Sequence, residues 1–202
     1  MWAKVNTDSN SVEEIIRFPK SIVANNIKYG KDIFKKWTWS ELNAIGLYEL
    51  VDNGTKGDDA FQITSQPTYT FNSGEKNVTT SYTVTDRELN DITNEDSTTS
   101  PGLKTQQIEK TKHYANTLLQ RFDWLATRKI MDSSKNIPTA VTNYCSSIRS
   151  DCDDIVTAIN NASNMTEFKA LYQDTLDGDG NVTQVNRIDR WTDDSNVLDY
   201  AR

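Results

Sequence analysis

The feature that most constrains this chain is a change of hydrophobic period near Ser100. Before it, β-branched and aromatic residues come in short runs separated by turn clusters; after it, apolar residues recur at helical spacing. Alternation suits one face of a strand, and a 3.6-residue period suits one face of a helix, so the two halves must fold differently. The border is the polar stretch "NEDSTTSPG" (Asn94–Gly102). The expectation is an α+β protein. A small antiparallel β-rich N-terminal domain with one short helix occupies 1–95, and a linker follows over 96–102. A helical hairpin or bundle over 103–202 ends in a short hairpin or an extended tail.

In the first half, Trp2-Ala3-Lys4-Val5 and Val12-Glu13-Glu14-Ile15-Ile16 flank the turn cluster "NTDSNS", which predicts a hairpin. Pro19 ends its second strand. Asn25-Asn26 sit between the apolar arms of "IVANNIKYG" and predict another hairpin. In "FKKWTWSELNAIGLYELVD", Thr38 and Glu41 have the spacing of a capping box, and Trp37 and Leu42 that of a hydrophobic staple. Gly46 fits a left-handed stop. A helix over Trp39–Ile45 should therefore feed a strand over Leu47–Val51. "FQIT", "TYTFN" and "VTTSYTVTD" read as further strands, the last two joined by "NSGEKN".

In the second half, Leu103, Ile108, Ala115, Leu118, Leu119 and Phe122 share one helical face. Asp123 has the chemistry of a new N-cap before Trp124, which predicts one bent helix or two. "DSSKNIP" breaks the pattern, and Pro138 fits the first turn of the next helix, where its missing N–H costs nothing. That helix carries an apolar stripe of Val141, Tyr144, Cys145, Ile148, Cys152, Ile155 and Ile159, ended by Asn160-Asn161. "NMTEFKALY" adds a short amphipathic helix with a weaker box of Asn164 and Glu167, and "LDGDGNV" turns the chain into "VTQVNRIDRW".

Charge and chemistry narrow the function classes. The net charge is −7, and the densest basic groups, Lys35-Lys36 and Arg128-Lys129, are too short to track phosphates. Nucleic acid and anionic membrane are therefore not expected as partners. No apolar run approaches roughly 20 residues, and the start "MWAKVNTDSNS" lacks an apolar signal core, so maturation in a cytoplasm is expected. Cys145 and Cys152 lie seven apart on one helix, which separates their Cα atoms by roughly 10.5 Å. A disulfide needs about 7 Å or less, so the two read as small core hydrophobes. A zinc site would need more ligands than the single His113 supplies. "DGDGN" at Asp177–Asn181 fails the EF-hand pattern, because Val182 and Ile188 stand at loop positions 6 and 12. Acidic residues cluster in polar loops without a glycosidase-like setting, and neither phosphate-binding glycine motif is present. No catalytic, cofactor-binding or metal-binding residue is assigned. Trp2, Trp37, Trp39, Trp124 and Trp191 read first as core, and a subset exposed on one face would favour sugar or protein binding.

"DWLATRK" followed by "IPTAVTNYCSSIRS" resembles a module of bacteriophage tail proteins, in which an apolar helix runs into a "DW…R" step, an "IP" break and a helix reading "Y…IR". The matching residues are Leu103-Lys104, Lys112, Ala115, Leu118-Leu119, Asp123-Trp124, Arg128, Ile137-Pro138, Tyr144 and Ile148-Arg149. Where the pattern continues with Arg after the Tyr, this chain has Cys145. "MWAKV", "IFKKWTWSELNAIGLYEL" and the "NRIDRW" ending at Trp191 are similar to small proteins of marine phage tail clusters. The resemblance implies a non-enzymatic virion component of the tail or baseplate, assembled in the host cytoplasm, that attaches to or decorates fibres. Its partners would be other tail proteins, in multiple symmetric copies or as a homo-oligomer, with no cofactor. The alternatives are a tail-fibre assembly chaperone that leaves the virion and a carbohydrate-binding decoration protein. Trp37, Trp39, Leu42, Tyr48, Trp124, Arg128 and Trp191 are the interface candidates.

Overall fold

The computed structural model describes residues 1–201. The fold is α+β, strand-rich in its N-terminal part and helical in its C-terminal part. The chain divides into two compact units, Met1–Thr85 and Asp86–Arg202.

The first unit is built on a five-stranded sheet. In chain order the elements are β1 (Trp2–Asn6), β2 (Ser11–Ile16), β3 (Ile22–Ala24), β4 (Ile27–Tyr29), α1 (Ile33–Lys36), α2 (Trp39–Ala44) and β5 (Leu47–Val51). β6 (Gln62–Thr64), β7 (Thr68–Asn72), β8 (Asn77–Ser81) and β9 (Val84–Asp86) follow. The sheet order is β2-β1-β5-β8-β7, while β3 pairs with β4 and β6 with β9 in separate ribbons. Contrary to an all-antiparallel reading, β5 and β8 run parallel, with Leu50 opposite Val78. The long excursion between them, which carries β6 and β7, makes that direction possible.

The strand period sorts side chains onto two faces. Ala3, Val5, Tyr48, Leu50 and Val78 form one buried cluster, with Val12, Ile15, Tyr69 and Phe71 against it. Their neighbours Trp2, Ile16 and Leu47 join Ile22, Ile33, Phe34 and Leu42 in a second. The two edge strands, β2 and β7, come into contact, so the sheet is curled. Two short helices, rather than the single one expected, cover the second cluster. Phe34 of α1 packs edge-on against Trp2 at 4.8 Å. α2 carries the capping box, with the Thr38 hydroxyl oxygen accepting from the Glu41 N–H and the Thr38 N–H donating to the Glu41 carboxylate at 2.7 Å. Gly46 then turns left-handed at φ +82°, and the N–H of Val5 donates to its carbonyl at 2.8 Å.

The border between units falls earlier than the sequence suggests. Residues 96–102 are not a free linker: β10 (Ile92–Thr93) and β11 (Thr99–Ser100) pair as a small hairpin. The segment before it covers the start of α3 (Leu103–Gln120). The Asp91 carboxylate accepts from Gly102 N–H at 2.8 Å, Glu88 carbonyl from Leu103 N–H, and Leu89 carbonyl from Lys104 N–H. The first N–H groups of a helix have no partner inside it. Residues 88–91 satisfy three of them here, so this stretch belongs to the helical unit.

That unit continues with α4 (Asp123–Met131), α5 (Thr139–Asn161) and α6 (Met165–Ala170). Of the two forms expected, one bent helix or two, the structure has two helices; Phe122 rather than Asp123 stands at the N-cap of α4, with Asp123 in the first turn, and Pro138 stands at the N-cap of α5. The packed long pair is α3 with α5, and α4 closes one end of it. Ala115, Phe122, Leu125, Val141, Tyr144 and Ile148 form the buried seam, with Cys145 and Cys152 partly buried against it. After α6, β12 (Thr175–Leu176) and β13 (Val182–Gln184) pair as a hairpin.

The C-terminal tail is not the extended chain expected: turns at 187–189 and 195–197 and a 3-10 turn over Leu198–Tyr200 interrupt it, and it is strapped onto the helices. Arg187 pairs with Asp154 of α5 at 3.3 Å, and the Asp151 carboxylate accepts from the Thr192 N–H and hydroxyl. Arg121 pairs with Asp194 at 2.8 Å, and the Trp124 indole N–H donates to the Tyr200 carbonyl at 2.9 Å. Val197 is buried in the seam.

A Cβ at Gly46 would meet the carbonyl oxygen of Val5 at 2.9 Å while adopting a backbone angle that suits glycine. Gly46→Ala should destabilise the first unit by roughly 1–3 kcal/mol. Amide exchange monitored by mass spectrometry should speed up across 2–6 and 47–51 and leave α3 and α5 protected.

A candidate docking surface

The seven interface candidates separate into different settings. Leu42 and Tyr48 are buried, at 2% and 7% exposure, so both are core residues and neither offers a contact surface. The staple geometry explains Leu42. Tyr48 points inward because β5 lies in the middle of the sheet, where its ring meets Phe71 at 4.5 Å. Trp37 is half-buried and meets Tyr29 edge-on at 5.4 Å. Trp39, at the start of α2, is exposed.

Trp124 and Arg128 come together, one helical turn apart on α4. Spacing of i and i+4 places two side chains on one face, and the Arg128 guanidinium lies 5.0 Å from the centre of the indole ring. A guanidinium over an indole is held by the ring's negative face. One Nη of Arg128 reaches the Asn136 carbonyl at 3.5 Å, and its Nε is buried without a hydrogen-bond partner. Lys129 reaches the side-chain oxygen of Asn136 at 2.8 Å, which ties the end of α4 to the loop leading into α5. In that loop the Asp132 carboxyl is held below its usual range by hydrogen bonds from the Ser134 hydroxyl and N–H, so it stays ionised.

This end of the unit carries an apolar tip. Ile130 and Met131 are 85% and 83% exposed, and Ile137 is also exposed across the loop. Beside them is a shallow depression of about 490 Å³ lined by Trp124, Thr127, Arg128, Met131, Asp132 and Lys135. The sequence reading picked Trp124 and Arg128 from this surface and missed Ile130 and Met131. The available signal was that "KIMD" puts two large apolar residues beside each other just before a break. Neighbouring helical positions point about 100° apart, so a narrow stripe cannot bury both.

Trp191 sits elsewhere on the same unit. Its indole N–H donates to the Ile188 carbonyl at 3.1 Å, and its ring meets Tyr114 of α3 edge-on at 5.2 Å. The two aromatics line a depression of about 500 Å³ with Gln107, Lys110, His113 and Asp189 on its rim.

The groups with chemical potential are dispersed. Both cysteines are free, and burial pushes both thiols above their ordinary range, which lowers the share of reactive thiolate. His113 is exposed on the outer side of α3, while the thiols pack into the seam. Asp177 holds the "DGDGN" turn, its carboxylate accepting from the Asp179 and Asn181 N–H groups. Among the described residues no group of three or more His, Cys, Asp or Glu side chains is placed to hold a metal ion. No helix among them is long and apolar enough to cross a membrane. Comparisons with protein-family models, with curated proteins and with solved structures returned no match.

Trp124→Phe keeps a ring under Arg128 and removes the indole N–H that holds Tyr200. The expected loss is about 1 kcal/mol of stability. Amide exchange should rise over 197–201 while α5 stays protected; an unchanged tail would show that this bond does not hold it.

Proposed function

We propose that this chain is a non-enzymatic bacteriophage virion protein, a tail, baseplate or tail-fibre-associated part that attaches to fibres or decorates them. The observation that carries the reading is where the residues of the tail-module resemblance lie. Asp123 and Trp124 open α4 and Arg128 packs on Trp124. Ile137 and Pro138 lead into α5, and Tyr144 and Ile148 anchor it in the seam. These residues build the exposed tip and its foundation. A docking element gains from this combination, because an apolar contact gives more affinity when the structure presenting it is already ordered. The apolar centre with basic residues around it has the make-up of an interface anchor.

Mass spectrometry of purified virions of a phage encoding this chain tests the reading. A fixed stoichiometry relative to the major tail proteins is expected. Presence in infected lysates with absence from purified particles would replace it with a transient assembly chaperone.

A second reading has its own observation. The Tyr114–Trp191 depression combines two aromatic faces with amide, ammonium and carboxylate groups on its rim, which suits a sugar ring. On a glycan array a carbohydrate-binding decoration protein should give signals that Trp191→Ala and Tyr114→Ala each reduce at least about tenfold. A blank array removes this reading and leaves the first intact.

A further inference from the structure

The helical unit carries two exposed apolar patches of opposite charge. One is the tip at the end of α4, where Ile130 and Met131 stand among Arg128, Lys129 and Lys135, with Asp132 as the acidic neighbour. This is a basic island on an acidic unit, since residues 86–202 hold thirteen Lys and Arg against nineteen Asp and Glu. The other patch is the β12–β13 hairpin. Leu176, Val182 and Val185 are each about half exposed there, at 56%, 53% and 46%. Asp174, Asp177 and Asp179 accompany them, and no Lys or Arg occurs in the chain from Ala170 to Asn186; the Arg190 guanidinium reaches back to the Val185 carbonyl at 2.8 Å, so the acidic surface is the part of the hairpin around Leu176 and Val182. Asp177 is held ionised by the turn it organises, and Asp174 accepts from the Asn186 N–H at 2.7 Å, so the hairpin is both charged and ordered.

The two patches lie at opposite ends of the unit. The tip joins the N-terminal end of α5 through the 132–138 loop. The hairpin is rooted where Ile188 N–H donates to the Leu171 carbonyl and Arg187 pairs with Asp154, in the C-terminal half of α5. From Thr139 to Asp154 the helix axis advances roughly 22 Å. The strapped tail runs between the two ends, from Arg187 to Tyr200 over Trp124. A patch therefore cannot cover its counterpart on the same molecule, but it fits the counterpart on another copy.

The geometry points to head-to-tail self-association, in which the basic apolar tip of one copy docks on the acidic apolar hairpin of a second. Charge complementarity selects this pairing over tip-to-tip or hairpin-to-hairpin contacts, which would set like charges together. Such a contact is heterologous, so it propagates into a ring or an open filament rather than stopping at a symmetric dimer. This inference rests on the docking reading above and names its occupant. Its test is separate, because virion mass spectrometry reports on the particle and the following experiment reports on the purified chain.

Sedimentation velocity of the full chain, from micromolar to near-millimolar concentration, should show species that grow beyond a dimer. Raising salt from about 50 mM to about 500 mM should weaken the association roughly tenfold. Met131→Asp blocks the tip and Leu176→Lys blocks the hairpin. Both positions are exposed, so each variant should keep the far-ultraviolet circular dichroism of the parent. Each alone should be monomeric. Mixed, they should form a one-to-one dimer that grows no further, since each supplies the patch the other retains. A parent chain that stays monomeric throughout, an association that survives either substitution, or a mixture that stays monomeric would each overturn the inference.

Discussion

The helical unit depends on the apolar seam between α3 and α5. Ile148, Ile155 and Ile159 are fully buried on the α5 stripe. Burying one such side chain is worth about 1.5–3 kcal/mol, so this row supplies a large part of what a domain of this size needs. Two helices alone leave a seam open along its edges. Here α4 closes one end with Phe122 and Leu125, and the C-terminal tail runs alongside with Val197 in the seam. The tail is held by an ion pair at each of two points and by hydrogen bonds at Asp151 and Trp124. Apolar burial adds to these polar ties: Val197 is buried in the seam and Trp191 packs on Tyr114.

The seam was legible because its signal is periodic. The stripe from Val141 to Ile159 names the buried face of α5, except that Cys145 and Cys152, read as core, are only partly buried against the seam. The capping box at Thr38 and the left-handed Gly46 were equally readable, since each is a local arrangement written in a few adjacent residues. Contacts between distant segments were not. Thr111 is buried at the centre of α3 on the same helical face as Ile108 and Ala115, and its polar side chain rather than its spacing hides it. The stretch from Glu88 to Asp91 looks like loop, and its role in satisfying the first N–H groups of α3 exists only once the chain has folded back. The tail shows the same limit: Asp194 and Tyr200 are ordinary polar-segment residues until Arg121 and Trp124 face them.

The first unit illustrates why a mixed pattern misled on direction. Alternation tells which face a residue takes, and Ala3, Tyr48 and Val78 do share a face. It carries no information about whether neighbouring strands run the same way. The parallel β5–β8 pair follows from the length of chain between them, which crosses over before β7 and β8 close a tight hairpin. Curling then brings β2 and β7 into contact, which reduces the exposed backbone at the sheet edges. An exposed edge strand invites pairing with other chains, so surface available for specific contacts has to come from elsewhere.

Within the helical unit the exposed apolar surface lies at the ends of the layer. Trp124 makes two intramolecular contacts at one of them. Its ring supports Arg128 on one side, and its N–H fixes the tail on the other. Ile130 and Met131 add nothing to the core at this exposure, and two large apolar side chains in water are a liability for a chain that acts alone. Their position next to a braced guanidinium, on a loop tied down by Lys129 and Asn136, is the reverse of what solubility would favour. In the proposed docking role, the rigid seam would do for the tip what a preorganised scaffold does for any binding element: the ordering cost is met during folding, and the exposed apolar area stays available.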